Sequence, residues 1–282
     1  MKKINQILLI TSLSQILFSC EDVIDVDVQD APTRLVIEAS LDWEKGTSGN
    51  EQSIFIRTST PFFNTDSNTS ITGASVVVTN NSNNSEYVFE DLGTGEYSTT
   101  DFEPIIGASY TLEVINEGEI YEATETLYPV TDLTVLGQSR EDGFSEDDLE
   151  VNLTLVDPEE EGNNYFFKFQ KQGELLPIFE EFDDEFINGN EVDWYLEIGE
   201  DDETEKKEAF QPGDTVDIEF YAISPAYKEY LQILVNQIGG VGLFESIPVA
   251  VKGNCVNLTN SENYAHGYFR VTEVVKISYT FE

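Results

Sequence analysis

Gly107-Ala108-Ser109-Tyr110-Thr111-Leu112-Glu113-Val114 places a glycine turn before a strict alternation, with Tyr110, Leu112 and Val114 on one face and Ser109, Thr111 and Glu113 on the other. A period of two is the mark of a half-buried β-strand, because successive side chains leave a strand on opposite sides. The same pattern repeats outward in both directions. Asn116-Glu117-Gly118 turns the chain into a strand from Glu119 to Thr126. Upstream lie Leu35 to Leu41, Ser53 to Thr58, the valine-rich Ala74 to Thr79, Glu86 to Glu90 after a polar turn at 80–85, and Glu96 to Thr100 after Gly93-Thr94-Gly95. Seven short strands separated by turn residues predict a β-sandwich over residues 32–129.

Gly107-x-x-Tyr110-x-Leu112-x-Val114 also resembles the tyrosine-corner strand of immunoglobulin-like domains. That likeness implies that Tyr110 packs at a sheet corner and bonds backbone through its hydroxyl; an ordinary buried tyrosine is the alternative. Tyr128-Pro129-Val130 reads as a boundary, and a second β-rich domain is expected over 130–282. Its strands are Leu149 to Val156, Tyr165 to Gln170, one or two within the acidic stretch 180–208 around Trp194-Tyr195-Leu196, Thr215 to Tyr221, Pro248 to Val256 and Tyr268 to Phe281. Between them Pro225 opens a helix of about 225–238. There Tyr227, Tyr230, Leu231, Leu234, Val235 and Ile238 recur every three or four residues, and Gly239-Gly240 ends the run. The fold class is therefore mainly all-β: an immunoglobulin-like sandwich, then a second sandwich-like domain carrying one amphipathic helix.

The amino-terminal residues carry a different signal. Met1-Lys2-Lys3 precedes an apolar run from Ile4 to Phe18, shorter than the ~20 residues of a spanning helix and interrupted by polar side chains. Leu17-Phe18-Ser19-Cys20 then resembles the bacterial lipobox, in which the cysteine thiol is acylated and the signal is cut before it. Residues 1–19 are expected to be a lipoprotein signal peptide and 20–31 an acidic tether; a short edge strand at 25–28 is a further expectation. Acyl chains contribute roughly 0.8 kcal/mol per buried methylene, so two or three hold a protein at a bilayer durably. Glu21 and Asp22, directly after Cys20, resemble the surface-export signal of lipoproteins in Bacteroidetes-type bacteria. Together these resemblances imply a lipid-anchored protein of the outer membrane facing the cell exterior.

Composition narrows the partners. The chain holds 14 Lys and Arg against 55 Asp and Glu, a formal charge of −41; loss of Lys2 and Lys3 takes it to −43. Nucleic acid is excluded, since phosphate binding needs clustered cations. Anionic lipid is equally poor as a direct docking surface. Basic proteins, divalent cations or neutral ligands suit such a surface, although solubility alone accounts for most of the carboxylates.

No constellation of catalytic residues stands out. His266 is the sole histidine, so multi-histidine metal sites are absent, and no Gly-x-Ser-x-Gly elbow is present. Cys255 reads as a small hydrophobe in a strand and His266 as a turn residue, against the alternative of a Cys–His pair. Asp183-Asp184-Glu185-Phe186-Ile187-Asn188-Gly189-Asn190 offers hard oxygen ligands for calcium but misses EF-hand spacing. Catalytic, cofactor and metal residues are accordingly expected to be none.

The order of the pieces resembles an uncharacterised lipoprotein family, domain of unknown function 4249. The carrying segments are Cys20 to Ile24, Leu35 to Ala39, Gly73 to Val76, Gly93 to Tyr97 and Gly107 to Leu112 in the first half. In the second they are the Tyr227–Ile238 helix, Phe244-Glu245, Pro248, Val251 to Asn254, Thr259-Asn260 and Gly267 to Phe269. The resemblance implies a setting beside TonB-dependent outer-membrane transporters and supplies no catalytic residues. The leading expectation is a non-enzymatic accessory or ligand-capture lipoprotein that meets the bilayer through acylated Cys20 and works with a TonB-dependent transporter or other envelope protein. A structural or adhesive surface lipoprotein is the alternative, and a carboxylate-dependent hydrolase comes third.

Overall fold

Alternating burial builds the first half as its pattern implies. A computed structural model, which describes residues 31–61, 69–199, 208–238 and 250–282, contains all seven expected strands. They are β1 (Leu35–Glu44), β2 (Gln52–Thr58), β3 (Ser75–Asn80), β4 (Ser85–Asp91), β5 (Glu96–Thr99), β6 (Ser109–Asn116) and β7 (Glu119–Thr126). Then come β8 (Leu133–Ser139), β9 (Glu150–Val156), β10 (Asn164–Lys171), β11 (Ile178–Asp183), β12 (Glu191–Glu197) and β13 (Thr215–Ala222). Helix α1 (Pro225–Ile238), β14 (Val256–Asn257) and β15 (His266–Thr280) complete the described chain. Cys20, Glu21, Asp22 and the strand expected at 25–28 lie outside the described residues.

The protein is mainly β, with one large curled mixed sheet and one small sheet. The large sheet has twelve strands in the order β11-β10-β13-β15-β1-β2-β5-β4-β3-β6-β7-β14, and the small one runs β12-β9-β8. The turn-back comes at β4, which pairs with β5 at Glu90 and Asp91 and with β3 from Ser85 to Phe89. β1 and β15 pair in parallel over nine residues, Val36 with His266 through Glu44 with Val274. Two cores result. The first holds Ile37, Ala39, Leu41, Ile54, Ile56, Val76, Val78, Tyr97, Leu112 and Val114. The second holds Val151, Leu153, Leu155, Phe167, Phe169, Val216, Ile218 and Phe220. In sequence they divide between Leu127 and Val130, except that Cys255 and Ala265 return to the first and β15 serves both. Its Phe269 and Val271 enter the first core, and its Val275, Ile277 and Tyr279 pack on the second.

Tyr110 forms the corner that its motif implies. Its hydroxyl donates to the Glu103 carbonyl at 2.8 Å and accepts the Ile105 N–H at 2.8 Å. This ring pins the β5–β6 connection onto the first core beside Phe102. Helix α1 starts where its sequence places it: Ser224 Oγ caps the Tyr227 N–H at 3.1 Å and Pro225 takes the first turn, where no N–H partner is needed. Tyr227 and Leu231 are buried against Phe166, Tyr221 and Tyr268 on the outer face of the large sheet.

Two local expectations need correction. Residues 250–255 are irregular, and only Val256 and Asn257 are strand. The Asn254 side chain takes over the ladder there, accepting the Phe269 N–H and donating to the Phe269 carbonyl, each at 2.8 Å. A Cβ on Gly253 would collide with the Gly267 carbonyl, and one on Gly267 (φ +85°) with the Ile37 carbonyl, so the backbones stack closer than side chains allow. The second correction is β8, which was not anticipated. Only Leu133 of that strand is buried, and a register shift between Val135 and Gly137 breaks its alternation.

A buried polar network ties β1, β15 and α1 together. Arg270 donates through Nε to Asp42 Oδ1 at 3.1 Å and through Nη2 to Oδ2 at 2.8 Å, and its Nη1 meets the Tyr227 hydroxyl at 2.7 Å. Burial works against that cation, but the Asp42 carboxylate outweighs it and holds the guanidinium above its ordinary pKa. Glu125 is a nearby contrast. Burial pushes its carboxyl up, although the Tyr268 hydroxyl at 2.8 Å and Asn254 stabilise the anion. A carboxyl raised by folding contributes stability that is present below the unfolded pKa of about 4.3 and is lost as pH climbs through the folded value. Glu125→Gln, which keeps an oxygen for Tyr268, is therefore expected to raise the melting temperature at pH 7 and leave it unchanged at pH 4. Thermal melts at the two pH values check this, and a lower melting temperature at pH 7 would contradict it.

Candidate functional site

β11 ends the large sheet and β12 ends the small one, and the side chains of these two edges line a cleft of about 590 Å³. β11 contributes Phe179, Glu180 and Glu181. β12 contributes Asp193, Trp194, Tyr195 and Glu197, and the loop after β8 adds Phe144. Aromatic and acidic groups thus share one concave surface. Trp194 is anchored from behind: it stacks on Phe182 at 4.6 Å between ring centroids, and its indole N–H donates to Glu180 Oε2 at 2.8 Å. Phe144 is held differently. It is 95% exposed, standing edge-on to Tyr195 at 6.4 Å.

Charge in the cleft is uneven. Burial pushes the Glu180 carboxyl up, the Trp194 indole opposes this, and neighbouring Glu181 adds to it. Glu197 lies on the other side, where its Oε2 accepts the Phe144 N–H at 2.6 Å. A cation over an aromatic face gains about 0.5–2 kcal/mol, the more so when desolvated, and a carboxylate alongside adds directional acceptors. The arrangement is therefore suited to holding a cationic group against rigid strand-borne rings.

The residues singled out by sequence sit elsewhere. Cys255 is buried in the first core, as its context implies, and burial pushes its thiol up to about 12, far from a reactive thiolate. His266 opens β15 rather than sitting in a turn; its Nδ1 lies 3.0 Å from the Val251 carbonyl oxygen, and the ring meets Tyr264 edge to face. In the calcium-like stretch Asp183 and Asp184 already have donors. Asp183 pairs with Lys228, while Asp184 Oδ2 accepts the N–H groups of Gly162 at 2.7 Å and Asn163 at 2.9 Å. They fasten turns. Among the described residues no three or more His, Cys, Asp or Glu side chains come together as a metal site, and no helix is long and apolar enough to cross a membrane.

The cleft itself escaped sequence reasoning, apart from the Trp194-Tyr195-Leu196 strand. Glu180 and Trp194 meet only through the stacking of two sheets, which no local pattern encodes. Phe144 carried a signal of its own: a large aromatic isolated within the acidic run 141–148 has no periodic partner and so faces water.

The family model described as Domain of unknown function (DUF4249) matches residues 21–278. No curated protein matches the chain. Among solved structures, a two fibronectin type-III domain segment from chicken tenascin is similar at 10% identity over 71% of this chain and 90% of that one, with a TM-score of 0.22. A cytokine receptor complex is similar at 11% identity, covering 70% of this chain and 87% of that one, with a TM-score of 0.24. A DUF4785 family protein from Legionella pneumophila is similar at 10% identity, covering 69% and 53%, with a TM-score of 0.24.

Proposed function

The chain belongs to the DUF4249 family, and from that premise we propose that it is a non-enzymatic outer-membrane lipoprotein that captures a ligand or partner at the cell exterior. Acylated Cys20 is its anchor, with Glu21 and Asp22 as the surface-export signal, and its partner is a TonB-dependent transporter or other envelope protein. Its two cores act as an immunoglobulin-like sandwich and a second sandwich-like domain.

The observation that carries this reading is the cleft between β11 and β12, where Trp194, Tyr195 and Phe144 stand beside four carboxylates. Aromatic anchors in a concave site are where binding energy concentrates. The chain's charge favours a basic segment as the captured group, since opposite fields speed encounter and reject acidic competitors.

The test is recovery of the acylated protein from cells in mild detergent, with Asp193→Lys combined with Trp194→Ala as the comparison. The native protein is expected to bring down an outer-membrane β-barrel protein, and the variant at least tenfold less of it. Recovery of the native protein alone, or equal recovery by both, would overturn the reading. Cys20→Ala is expected to incorporate no labelled fatty acid and to be lost from the membrane fraction. Retained label would remove the anchor from this account.

A further inference from the structure

We propose that Glu150 and Glu197 hold a calcium ion beneath the loop that joins β8 to β9. The two residues are direct partners in the β9–β12 register. Glu150 is wholly buried, and its two oxygens are treated differently. Oε1 accepts the N–H groups of Asp142 at 2.8 Å and Glu141 at 3.0 Å and the Ser139 hydroxyl, whereas buried Oε2 has no partner in good hydrogen-bond geometry. Glu197 turns its own Oε2, which accepts the Phe144 N–H at 2.6 Å and the Ser145 N–H at 3.4 Å, toward the same place. A Cβ added to Gly143 would collide with Glu197 Oε2 and lie 2.5 Å from Glu150 Oε2, so two carboxylates from adjacent strands crowd one spot. On the same face of β9, the buried Oδ1 of Asn152 is likewise without a donor.

Buried acceptors nearly always find a partner, and one facing a second carboxylate is doubly unfavourable, through lost solvation and through repulsion. A divalent cation relieves both at once. The candidate donors are oxygens only, from carboxylate and amide, which selects a hard cation over zinc or copper. Calcium tolerates an irregular shell completed by water, whereas magnesium demands a near-octahedral one. With two carboxylates rather than three, the affinity belongs in the range of extracellular modules, on the order of 10⁻⁴–10⁻³ M. The site shares Glu197 with the cleft but does not depend on the capture reading; if both hold, the ion also fixes the loop that carries Phe144 to the rim.

The experiment uses the metal-free acylated protein in mild detergent, with no partner added, so its outcome is independent of what the cleft captures. Terbium luminescence is excited through the tryptophan and tyrosine of β12 and competed with calcium, and melting temperatures are read with calcium and with magnesium. One saturable, calcium-competed site is expected, with a rise in melting temperature from calcium that equal magnesium does not give. Glu197→Gln and Glu150→Gln are each expected to weaken binding at least tenfold, while Glu86→Gln, on β4, leaves it unchanged. Native-like binding in Glu197→Gln overturns the proposal, and this variant decides if Glu150→Gln does not fold. An equal calcium-induced shift in native protein and Glu197→Gln would mean general screening of an acidic surface, and overturns it as well.

Discussion

Asp42→Ala is expected to destabilise the fold by about 3–5 kcal/mol, the usual result of stripping one partner from a buried ion pair. The loss goes beyond one hydrogen bond. Asp42 receives two from Arg270 and a third from the Thr272 hydroxyl at 2.9 Å, so its removal leaves a buried guanidinium with the Tyr227 hydroxyl as its one remaining side-chain acceptor and the Tyr221 and Tyr227 rings beside it. That hydroxyl cannot balance a charge. The network spans β1, β15 and α1, so the effect reaches both the parallel pairing and the helix. Urea unfolding checks the magnitude. Asp42→Leu combined with Arg270→Met is expected to recover most of the loss, because an apolar pair of similar bulk removes the desolvation penalty along with the attraction. A double variant no better than Asp42→Ala would mean that the pair acts through geometry rather than through charge.

Removal of residues 266–282 is expected to abolish folding of both cores. The first would lose Phe269 and Val271, and β1 would lose its parallel partner. The second would lose Phe281 and the packing of Val275, Ile277 and Tyr279, along with the whole β13 pairing. Burial of a large apolar side chain is worth roughly 1.5–3 kcal/mol, and a domain has only about 5–15 kcal/mol in total. Six such losses, together about 9–18 kcal/mol if each side chain were fully buried, are of the order of the whole margin even before the lost strand pairing is counted. By the same argument a fragment of 33–129 alone is not expected to fold, despite holding all seven strands of the first alternating series. Circular dichroism melts and proteolysis check both points. A sharp, reversible melt from either shortened chain would contradict the role given to β15.

Much of the scaffold was legible because burial there follows the period of the element. Tyr110, Leu112 and Val114 alternate without exception, and Tyr227 with Leu231 falls on one helical stripe between a proline start and a glycine pair. Legibility failed where something other than periodicity holds the chain. β8 buries one residue and carries a bulge; 250–255 is strand-like in composition, yet an asparagine side chain replaces its ladder. The return of β15 to lie beside β1 was also invisible, since the pairing joins residues some 230 positions apart. So was the cleft, for the same reason: Glu180 and Trp194 belong to different sheets. The Glu150–Glu197 pair is a cross-strand neighbourhood that emerges only once register is known.

The cleft is tested most directly by placing a photo-reactive phenylalanine at Tyr195 of the acylated protein and irradiating intact cells. Position 88, exposed on β4, serves as the comparison. An adduct with an outer-membrane β-barrel protein is expected from position 195, and none from position 88. No adduct from 195, or the same adduct from both, would contradict capture at the cleft.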